Sequence, residues 1–554
     1  MPGNNTRVDR GRRDFLIRAG LAGGAAALPS AQAQENARMR MDAPGRPFVF
    51  GHEPPRTRKS FHDLTDAEVR LLCRAVGHMR NGTSDTTRTP PITAPLSVDS
   101  PLQWDQWAMT HARHCTETGP GVPQVHWSWY FLPWHRAYLF FLERQLANVV
   151  TNVLKEDGSK FALPYWDWIL HAEIPNTRER EMQGKPSPLF GYDLNLESMN
   201  EADNLGFDNL ALWDGYRGPT ILKPKMDPAN ERSPKSKEEI QQTLKFMSAA
   251  YIRDMLDLPF ELFAGQKVDP DKEPTRNGQG LLEHDPHNNG HDWVGSRQGK
   301  NRDMGTLRYA ALDPIFMMHH ANIDRIWSWY TKPQPDPDTS PWGMQRYTFT
   351  DLDGSPVSIL VRDIVKGITN ITYAEPAAET LKQPVMLTLL QTVKRREPEE
   401  KSETVVETGG TVTSRPLTLN AASKPATGAL LTEAASAAAH PLSVLEIETG
   451  PIAYTGKFAV EVFVNKPDAN DKTSTNDPHY VGRLKALESE GRQDEAGKDV
   501  SHTFPIMLGR DNSNFYKLVR PGQSFTITLV PSGESAADAR FRIPVKKVTL
   551  RVFE

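Results

Sequence analysis

The sequence has little of three things that would point to particular classes of protein. It has only two cysteines, Cys73 and Cys115, in 554 residues, which excludes a framework of disulfide bonds. The formal net charge is only −4, so we expect no nucleic acid and no anionic membrane as a partner. No segment of the mature chain is long and apolar enough to cross a bilayer.

The N-terminal stretch "GRRDFLIRAGLAGGAAALPSAQAQE" has the layout of an export signal. Arg12 and Arg13 precede a short apolar run rich in Gly and Ala, which closes on an A-x-A cleavage signal at 31–33. This pattern predicts a twin-arginine signal peptide over residues 1–33. We therefore expect the twin-arginine export machinery as a partner and a periplasmic or secreted location. A protein exported already folded acquires its cofactor in the cytoplasm.

The chain is long enough for more than one domain. Residues 45–375 are rich in Trp, His and helical patterns, and they predict a mainly α domain. Residues 376–450 are charged and then nearly low-complexity, which is typical of a linker or an exposed insertion. Alternating runs such as "GKFAVEVFVN" and "VKKVTLRVF" predict a β-sandwich over 451–554.

Two groups of histidines are the most informative feature of the first domain. In "HWSWYFLPWHRAYLFFLERQL", His126 and His135 stand among aromatic residues at the start of an apolar helix. In "SPLQWDQWAMTHARHC", His111 shares a helical face with Cys115, while His114 remains an alternative candidate on spacing alone.

The second group lies near residue 300. In "EHDPHNNGHDWVG", His287 and His291 are four residues apart and would meet on one face of a turn. In "LDPIFMMHHANIDRIWSWY", His320 points inward with the apolar residues, whereas His319 lies about 100° away and is predicted to be structural. Asp324, four residues further on, is placed to orient a histidine ligand.

Three inward-facing histidines in each group make a ligand set without thiolate or carboxylate, which suits copper or zinc. Two open three-histidine sites that face each other suit copper and dioxygen. A zinc hydrolase built on His287 and His291 is disfavoured, because it lacks the glutamate usually placed between two such histidines.

These residues resemble a known family. The stretch from His111 to His135, with "FLPWHRAYLFFLE", resembles the first copper motif of the tyrosinase and polyphenol oxidase family. The His287 pair followed by "DPIFMMHHANIDRIW" resembles the second motif. The likeness is greatest to plant-type polyphenol oxidases and their bacterial relatives, and it covers 56–375 and, more weakly, the C-terminal domain. It implies a four-helix-bundle core that holds two copper ions, with dioxygen as co-substrate.

The resemblance assigns particular ligands. It prefers His111 over His114 and the second histidine of the pair at 319–320. The implied ligands of the first copper are His111, His126 and His135, and those of the second are His287, His291 and His320.

Further roles follow only from the resemblance. Cys115 matches a cysteine that forms a thioether with the middle ligand, here His126. Glu283 and Asn288 match the pair that holds a water proposed to deprotonate a monophenol. Leu307 matches the gate residue above the second copper, although a packing role is equally compatible.

Two implications concern the edges of the catalytic domain. Tyr373 resembles a tyrosine that meets an N-terminal arginine, for which Arg56 and Arg58 are the candidates. The C-terminal sandwich resembles the shielding domain of latent proenzymes, with proteolysis or permanent attachment both compatible.

The expected function is O2-dependent ortho-hydroxylation of monophenols and oxidation of o-diphenols to o-quinones. Small phenols are the implied substrates, and a copper chaperone is a candidate partner. The alternatives are a catechol oxidase that acts on o-diphenols only and a copper protein that binds dioxygen without turnover.

Overall fold

The structure is a computed structural model. It describes residues 45–51, 53–80, 100–116, 125–169, 245–267, 278–294, 304–375, 399–404, 412–413, 417–418, 442–450, 452, 458–486, 502–510, 513–519, 524–532, 541 and 543–553. The predicted signal peptide at 1–33 and most of the predicted linker lie outside these ranges. Within them no helix combines the length and the apolarity that a bilayer span requires.

The helices of the structure cluster in the N-terminal domain. In chain order they are α1 (Asp66–Met79), α2 (Trp104–Thr116), α3 (Phe131–Asn152), α4 (Ala249–Leu256), α5 (Phe260–Phe263), α6 (Asn288–Val294), α7 (Ile315–Ser328), α8 (Pro341–Met344), α9 (Val361–Gly367) and α10 (Ser513–Leu518). A π-helical turn, Glu283–His287, runs directly into α6.

Local sequence explains where two of these helices begin. At α1, the Thr65 hydroxyl accepts from the amide of Glu68 and the Glu68 carboxylate accepts from the amide of Thr65, which is a complete capping box. At α7, the Asp313 carboxylate accepts from the amide of Ile315 at 2.9 Å. Both caps satisfy amides that have no partner inside a helix.

Helix α3 is the centre of the N-terminal domain. It is buried along most of its length, and α1 and α7 both pack against it. Its buried aromatic and aliphatic side chains join one large hydrophobic core with those of α1, α2 and α7. The predicted mainly α domain is therefore present as a helical core with a few short strands.

The strands divide between the two domains. They are β1 (Arg46–Pro47), β2 (Arg56–Arg58), β3 (Arg346–Thr350), β4 (Pro356–Leu360), β5 (Ile371–Tyr373), β6 (Glu399–Thr404), β7 (Val412–Thr413), β8 (Leu417–Thr418), β9 (Leu442–Thr449), β10 (Phe458–Val464), β11 (Tyr480–Ala486), β12 (His502–Leu508), β13 (Ser524–Phe525), β14 (Ile527–Ser532) and β15 (Val545–Phe553). In the N-terminal domain, β1, β4 and β3 form a small sheet, and β2 pairs with β5.

The C-terminal domain is a β-sandwich. One sheet has the strand order β12-β9-β15-β6 and the other β11-β10-β14-β7, and every pairing in both is antiparallel. Side chains from both sheets share one hydrophobic core.

The sandwich begins earlier in the chain than the predicted boundary at 451. Strand β9 lies between β12 and β15, and its Leu445 and Ile447 are fully buried in the sandwich core. Strand β6 pairs with β15 as well. The prediction that 376–450 is only a linker or insertion is therefore wrong, because strand pairing over long sequence separations brings β6 and β9 into the sheet.

Candidate metal centre

Three histidines meet near the N-terminal end of helix α3. His111 comes from α2, His126 from the turn that precedes α3, and His135 from the first turns of α3 itself. The ring centroids of His126 and His135 are 5.2 Å apart, and the His111 ring lies 5.7 Å from His135 and 5.8 Å from His126. The structure thus brings together the predicted first ligand set.

A second trio meets where the π-helical turn joins α6. His287 ends that turn, His291 lies on α6, and His320 comes from α7. The centroid distances are 4.4 Å from His287 to His291, 4.9 Å from His287 to His320, and 5.8 Å from His291 to His320.

The two trios face each other. The rings of His135 and His320 stack at 4.0 Å with an interplanar angle of 7°, and the rings of His126 and His287 are 5.4 Å apart. None of the six histidines is more than 2% exposed. Six imidazoles therefore enclose one buried space between α3 and α7.

Hydrogen bonds decide which ring nitrogens face this space. Four of the six rings are held at Nδ1 by an oxygen: His126 by Glu283, His135 by the Phe131 carbonyl, His287 by Asn288 and His291 by the Met304 carbonyl, at 2.7–3.1 Å. Within the described part of the chain, the Nε2 atoms of all six have no hydrogen-bond partner. A histidine that donates Nδ1–H to an oxygen keeps its Nε2 lone pair for a metal.

The electrostatics favour the same state. Burial, followed by repulsion from the neighbouring imidazoles, lowers the pKa of five of the rings well below the ordinary value; they are His111, His135, His287, His291 and His320. These rings are therefore neutral at neutral pH. Neutral, buried and unpartnered Nε2 atoms in two facing trios fit a pair of copper or zinc ions.

The neighbouring His319 is also close to the second trio. One of its ring nitrogens lies within 4.8 Å of ligand nitrogens of His287 and His291. Its Nε2, however, lies 3.1 Å from the His287 carbonyl oxygen, and its ring packs beside Trp166 and Trp168. His319 thus braces the His287 backbone, while His320 stacks on His135 of the first trio, and the predicted choice of His320 over His319 as the ligand stays a prediction.

His319 also explains the unfavourable helix sequence Asn-Asn-Gly in α6. A Cβ atom added to Gly290 would lie 2.3 Å from Cε1 of the His319 ring. Only glycine leaves room for this ring against the helix. The glycine therefore serves the packing of His319, at some cost to the intrinsic stability of α6.

His114 is set apart from the first trio by the position of its ring, which also lies 6.0 Å from the ring of Tyr347. Its Nδ1 lies 2.9 Å from the carbonyl oxygen of Thr110, and its ring packs against Trp134 at 5.1 Å. Burial lowers its pKa to about 4. The choice between His111 and His114, which spacing left open, falls to His111 because only His111 lies among the other ligand rings.

Glu283 and Asn288 hold one histidine from each trio. The Glu283 carboxylate lies 3.1 Å from Nδ1 of His126 and accepts from the Trp127 amide at 3.0 Å. Asn288 accepts at its side-chain oxygen from Nδ1 of His287 at 3.0 Å. Both residues are completely buried. Their predicted water-holding role stays a prediction, and the contacts add a role in orienting ligands.

Gln279 is a residue of this network that the sequence analysis missed. Its side chain donates to Glu283 at 3.2 Å and accepts from the Asn288 amide at 3.4 Å. It completes a chain of hydrogen bonds from His126 to His287, that is, from one trio to the other. The signal was present, because Gln279 precedes Glu283 by four residues, the same step that separates Glu283, His287 and His291.

The prediction that Asp324 orients a ligand histidine is wrong. Its carboxylate is occupied by Arg58 at 3.3 Å, Arg136 at 2.6 Å and the Tyr373 hydroxyl at 2.5 Å. The two arginines outcompete a neutral imidazole for this carboxylate. Arg58 donates to Tyr373 at 2.7 Å, so of the two candidate arginines it is Arg58 that meets this tyrosine.

Leu307 and Cys115 are both buried near the centre. Leu307 is 2% exposed and follows Met304, whose carbonyl holds His291. Its predicted gating role stays a prediction. The Cys115 sulfur lies within 4.8 Å of ring nitrogens of the first trio, and no disulfide joins it to Cys73.

The fold and the site define a class of protein in which two facing three-histidine clusters could hold a pair of metal ions. Residues 101–332 match the family described as the common central domain of tyrosinase. The central part of the chain is therefore similar to the tyrosinase family, and this similarity supports a centre for two copper ions.

Among curated proteins, the chain is 31% identical over 293 residues to a chloroplastic polyphenol oxidase of Vitis vinifera, which covers 49% of this chain and 41% of that protein. It is 30% identical over 332 residues to the latent polyphenol oxidase of Prunus armeniaca, over 58% of this chain and 48% of that protein. The chain therefore matches less than half the length of these relatives.

Two solved structures of latent enzymes share the fold across both domains. A latent aurone synthase (polyphenol oxidase) has a TM-score of 0.61 at 22% identity over 92% of each chain. Latent apple tyrosinase has a TM-score of 0.57 at 20% identity over 92% of this chain and 99% of the other.

Replacing Gln279 with leucine should weaken the metal centre without unfolding the protein. Leucine fills similar space but breaks the hydrogen-bond chain between Glu283 and Asn288. We expect copper affinity or phenol oxidation to fall about 10- to 100-fold, measured by chelator competition and by oxygen uptake. Gln345→Leu is the matched control, since Gln345 bonds only locally, to the Arg346 carbonyl. Unchanged copper affinity and activity in Gln279→Leu would show that the hydrogen bonds between Glu283, Gln279 and Asn288 are dispensable.

The proximity of Cys115 to His126 makes a second testable prediction. Formation of the thioether joins the sulfur to a ring carbon and removes one hydrogen from each residue, with dioxygen as the oxidant. Copper-loaded protein exposed to air should yield a cross-linked peptide pair lighter than the sum of its parts by two hydrogens. Peptide mass spectrometry checks this, and Cys115→Ser should abolish the linked species. A fully alkylatable Cys115 after copper loading would contradict the cross-link.

Proposed function

We propose that this protein oxidises phenols with dioxygen at a pair of copper ions. The observation that supports this most directly is the set of six buried imidazoles in two facing trios, each with an Nε2 atom that has no hydrogen-bond partner within the described residues. In this proposal His111, His126 and His135 hold one copper, and His287, His291 and His320 hold the other. Bound copper supplies reversible one-electron chemistry and a binding site for dioxygen.

The overall reaction is balanced with dioxygen as the only oxidant. One monophenol and one dioxygen give one o-quinone and one water, and two o-diphenols with one dioxygen give two o-quinones and two waters. Names among the relatives cover both kinds of phenol chemistry, including a (+)-larreatricin hydroxylase of Larrea tridentata and a catechol oxidase of Solanum tuberosum.

The protein side chains contribute orientation, exclusion of water and proton transfer. The hydrogen bonds at Nδ1 orient four of the six rings and leave their Nε2 atoms available to a metal. The aromatic surroundings of the trios, with Phe131 and Phe316 against several of the rings, keep the site apolar. In the proposal, Glu283 and Asn288 hold a water that accepts the phenolic proton, and Leu307 limits the approach of the substrate.

The finer features of architecture and cell biology are part of the same proposal. Helices α2, α3, α6 and α7 carry four of the six proposed ligands, and we propose that they act as a four-helix bundle around the coppers. The N-terminal signal would direct the folded, copper-loaded protein through the twin-arginine machinery to the periplasm or beyond, with a chaperone as the source of copper.

Oxygen uptake by the copper-loaded, full-length protein tests the proposal. The substrates are L-tyrosine and then L-DOPA, and His114→Gln serves as a control that alters a buried histidine outside both trios. Uptake with both substrates supports a tyrosinase. Uptake with L-DOPA alone supports a catechol oxidase and removes the role of Glu283 and Asn288 as water holders. Reversible binding of dioxygen without uptake of either phenol would overturn the enzyme and leave a dioxygen-binding protein.

A further inference from the structure

A lysine from the C-terminal sandwich reaches the helix of the second trio. Lys485 lies on β11 and is 3% exposed. Its ammonium donates to the Asn288 carbonyl at 3.2 Å and to the Asn289 side-chain oxygen at 3.1 Å, and it forms an ion pair with Asp292. All three acceptors lie on α6, between or beside the two histidines His287 and His291.

Helix α6 needs external support. It has only seven residues, and three of them, Asn288, Asn289 and Gly290, have low helix propensity. So short a helix has little stability of its own. A buried ammonium offers three donors, and here each of them meets an acceptor on α6. The contact therefore fixes the helix backbone beside His287 and ties it to the turn that carries His291.

The sandwich also holds the residue next to a ligand of the first trio. Trp127 follows His126, and its ring packs within the hydrophobic core of the sandwich, 5.4 Å from Phe504 and 5.2 Å from His502. Its backbone has φ +62°, a conformation that a non-glycine residue rarely adopts without strong contacts. Its carbonyl accepts from the amide of Gly278, which is itself bridged to Thr503 on β12.

We propose that the C-terminal sandwich is a structural part of the metal centre and that Lys485 is a positioning residue for the histidines of α6. The inference rests on the proposed copper site but goes beyond the proposed function. A domain that served only to shield a cleft would have to cover the cleft, but it would not have to hold the helices that carry the histidines. This domain places a buried charge on the backbone of one ligand helix and encloses the residue beside a ligand of the other trio.

Retention of copper by full-length variants tests the proposal. Lys485→Met removes the three donors while keeping the length of the side chain. We expect it to lose the second copper to a chelator about 10- to 100-fold faster than the wild type, while the first copper is retained. The measured quantity is the number of copper ions per chain over time. Elemental analysis determines it, and it does not depend on activity.

Arg510→Met is the matched control. Arg510 also joins the sandwich to the helical domain, through Asp254 at 2.7 Å and Asp257 at 3.1 Å, but neither acceptor is on a ligand helix. Its copper retention should equal that of the wild type. If Lys485→Met retains copper as well as Arg510→Met does, the proposal is overturned.

A double variant separates positioning from simple charge balance. Lys485→Met removes the lysine that is paired with the buried Asp292 carboxylate, and this loss can destabilise the fold by itself. Lys485→Met with Asp292→Asn removes that charge, so we expect thermal stability to recover while copper loss stays fast. Recovery of copper retention in the double variant would contradict a positioning role. If the wild-type protein oxidises no phenol but the Lys485 variants still lose copper fast, the proposed function is refuted. The positioning role of Lys485 then stands.

Discussion

Replacing His320 with glutamine should leave the protein with about one copper per chain instead of about two, and phenol oxidation should fall to the level of copper-free protein. His320 stacks on His135 at 4.0 Å, and neither of its ring nitrogens has a partner within the described residues. A glutamine at this position keeps the volume but offers copper no imidazole. Elemental analysis and oxygen uptake measure the two effects.

The neighbouring residue supplies the control for this prediction. His319→Gln keeps a side-chain amide that can donate to the His287 carbonyl, as the imidazole of His319 does at 3.1 Å. We expect it to keep both coppers and most of the activity. The reverse pattern, with copper lost from His319→Gln and kept in His320→Gln, would move the ligand to His319 and refute the assignment.

Replacing Arg58 with methionine should lower the free energy of unfolding by about 3–5 kcal/mol. Arg58 is 1% exposed and donates to both carboxylate oxygens of Glu143, at 3.1 and 3.2 Å, as well as to Asp324. Burial alone would lower the pKa of Arg58, but Glu143, Tyr373 and Asp324 outweigh it and raise the pKa above the ordinary value. Without Arg58, Glu143 stays buried and loses both of the charge-assisted hydrogen bonds that it accepts from that arginine.

Denaturant unfolding of the copper-free protein measures this loss. Arg74→Met is the matched control, because the ion pair of Arg74 with Glu156 lies at the surface and should contribute less than about 1 kcal/mol. Equal effects of the two substitutions would show that the buried pair is not stabilising. Since Glu143 is on α3 and Asp324 is on α7, Arg58→Met should also loosen the stacking of His135 on His320.

Part of the histidine cluster could be predicted from the sequence because its spacing is local, whereas the choice of His111 over His114 came from the resemblance to the family. His287 and His291 are four residues apart, and His320 shares an apolar helix face, so the periodicity alone brings these rings inward. The structure adds the approach of the two trios, which depends on how α3 packs against α7.

Features that depend on long-range contacts were beyond the sequence. Asp324 was assigned to a histidine because that residue is near in the chain, whereas Arg58 is 266 positions away. Strand β9 was assigned to a linker because its partners β12 and β15 lie far along the chain. Gln279 is a separate case: its four-residue step to Glu283 is visible in the sequence, but an amide side chain carries no ligand signature that would single it out.

The π-helical turn at Glu283–His287 has a consequence for changes in the length of this segment. The segment fixes the number of residues between Glu283, which holds His126, and His287, which Asn288 holds. Inserting or deleting one residue would rotate everything that follows by about 100° relative to Glu283. A change of length in this stretch should therefore disturb the centre even where Glu283 and His287 themselves are kept. The histidine centre therefore depends on the number of residues between Glu283 and His287 as well as on the side chains themselves.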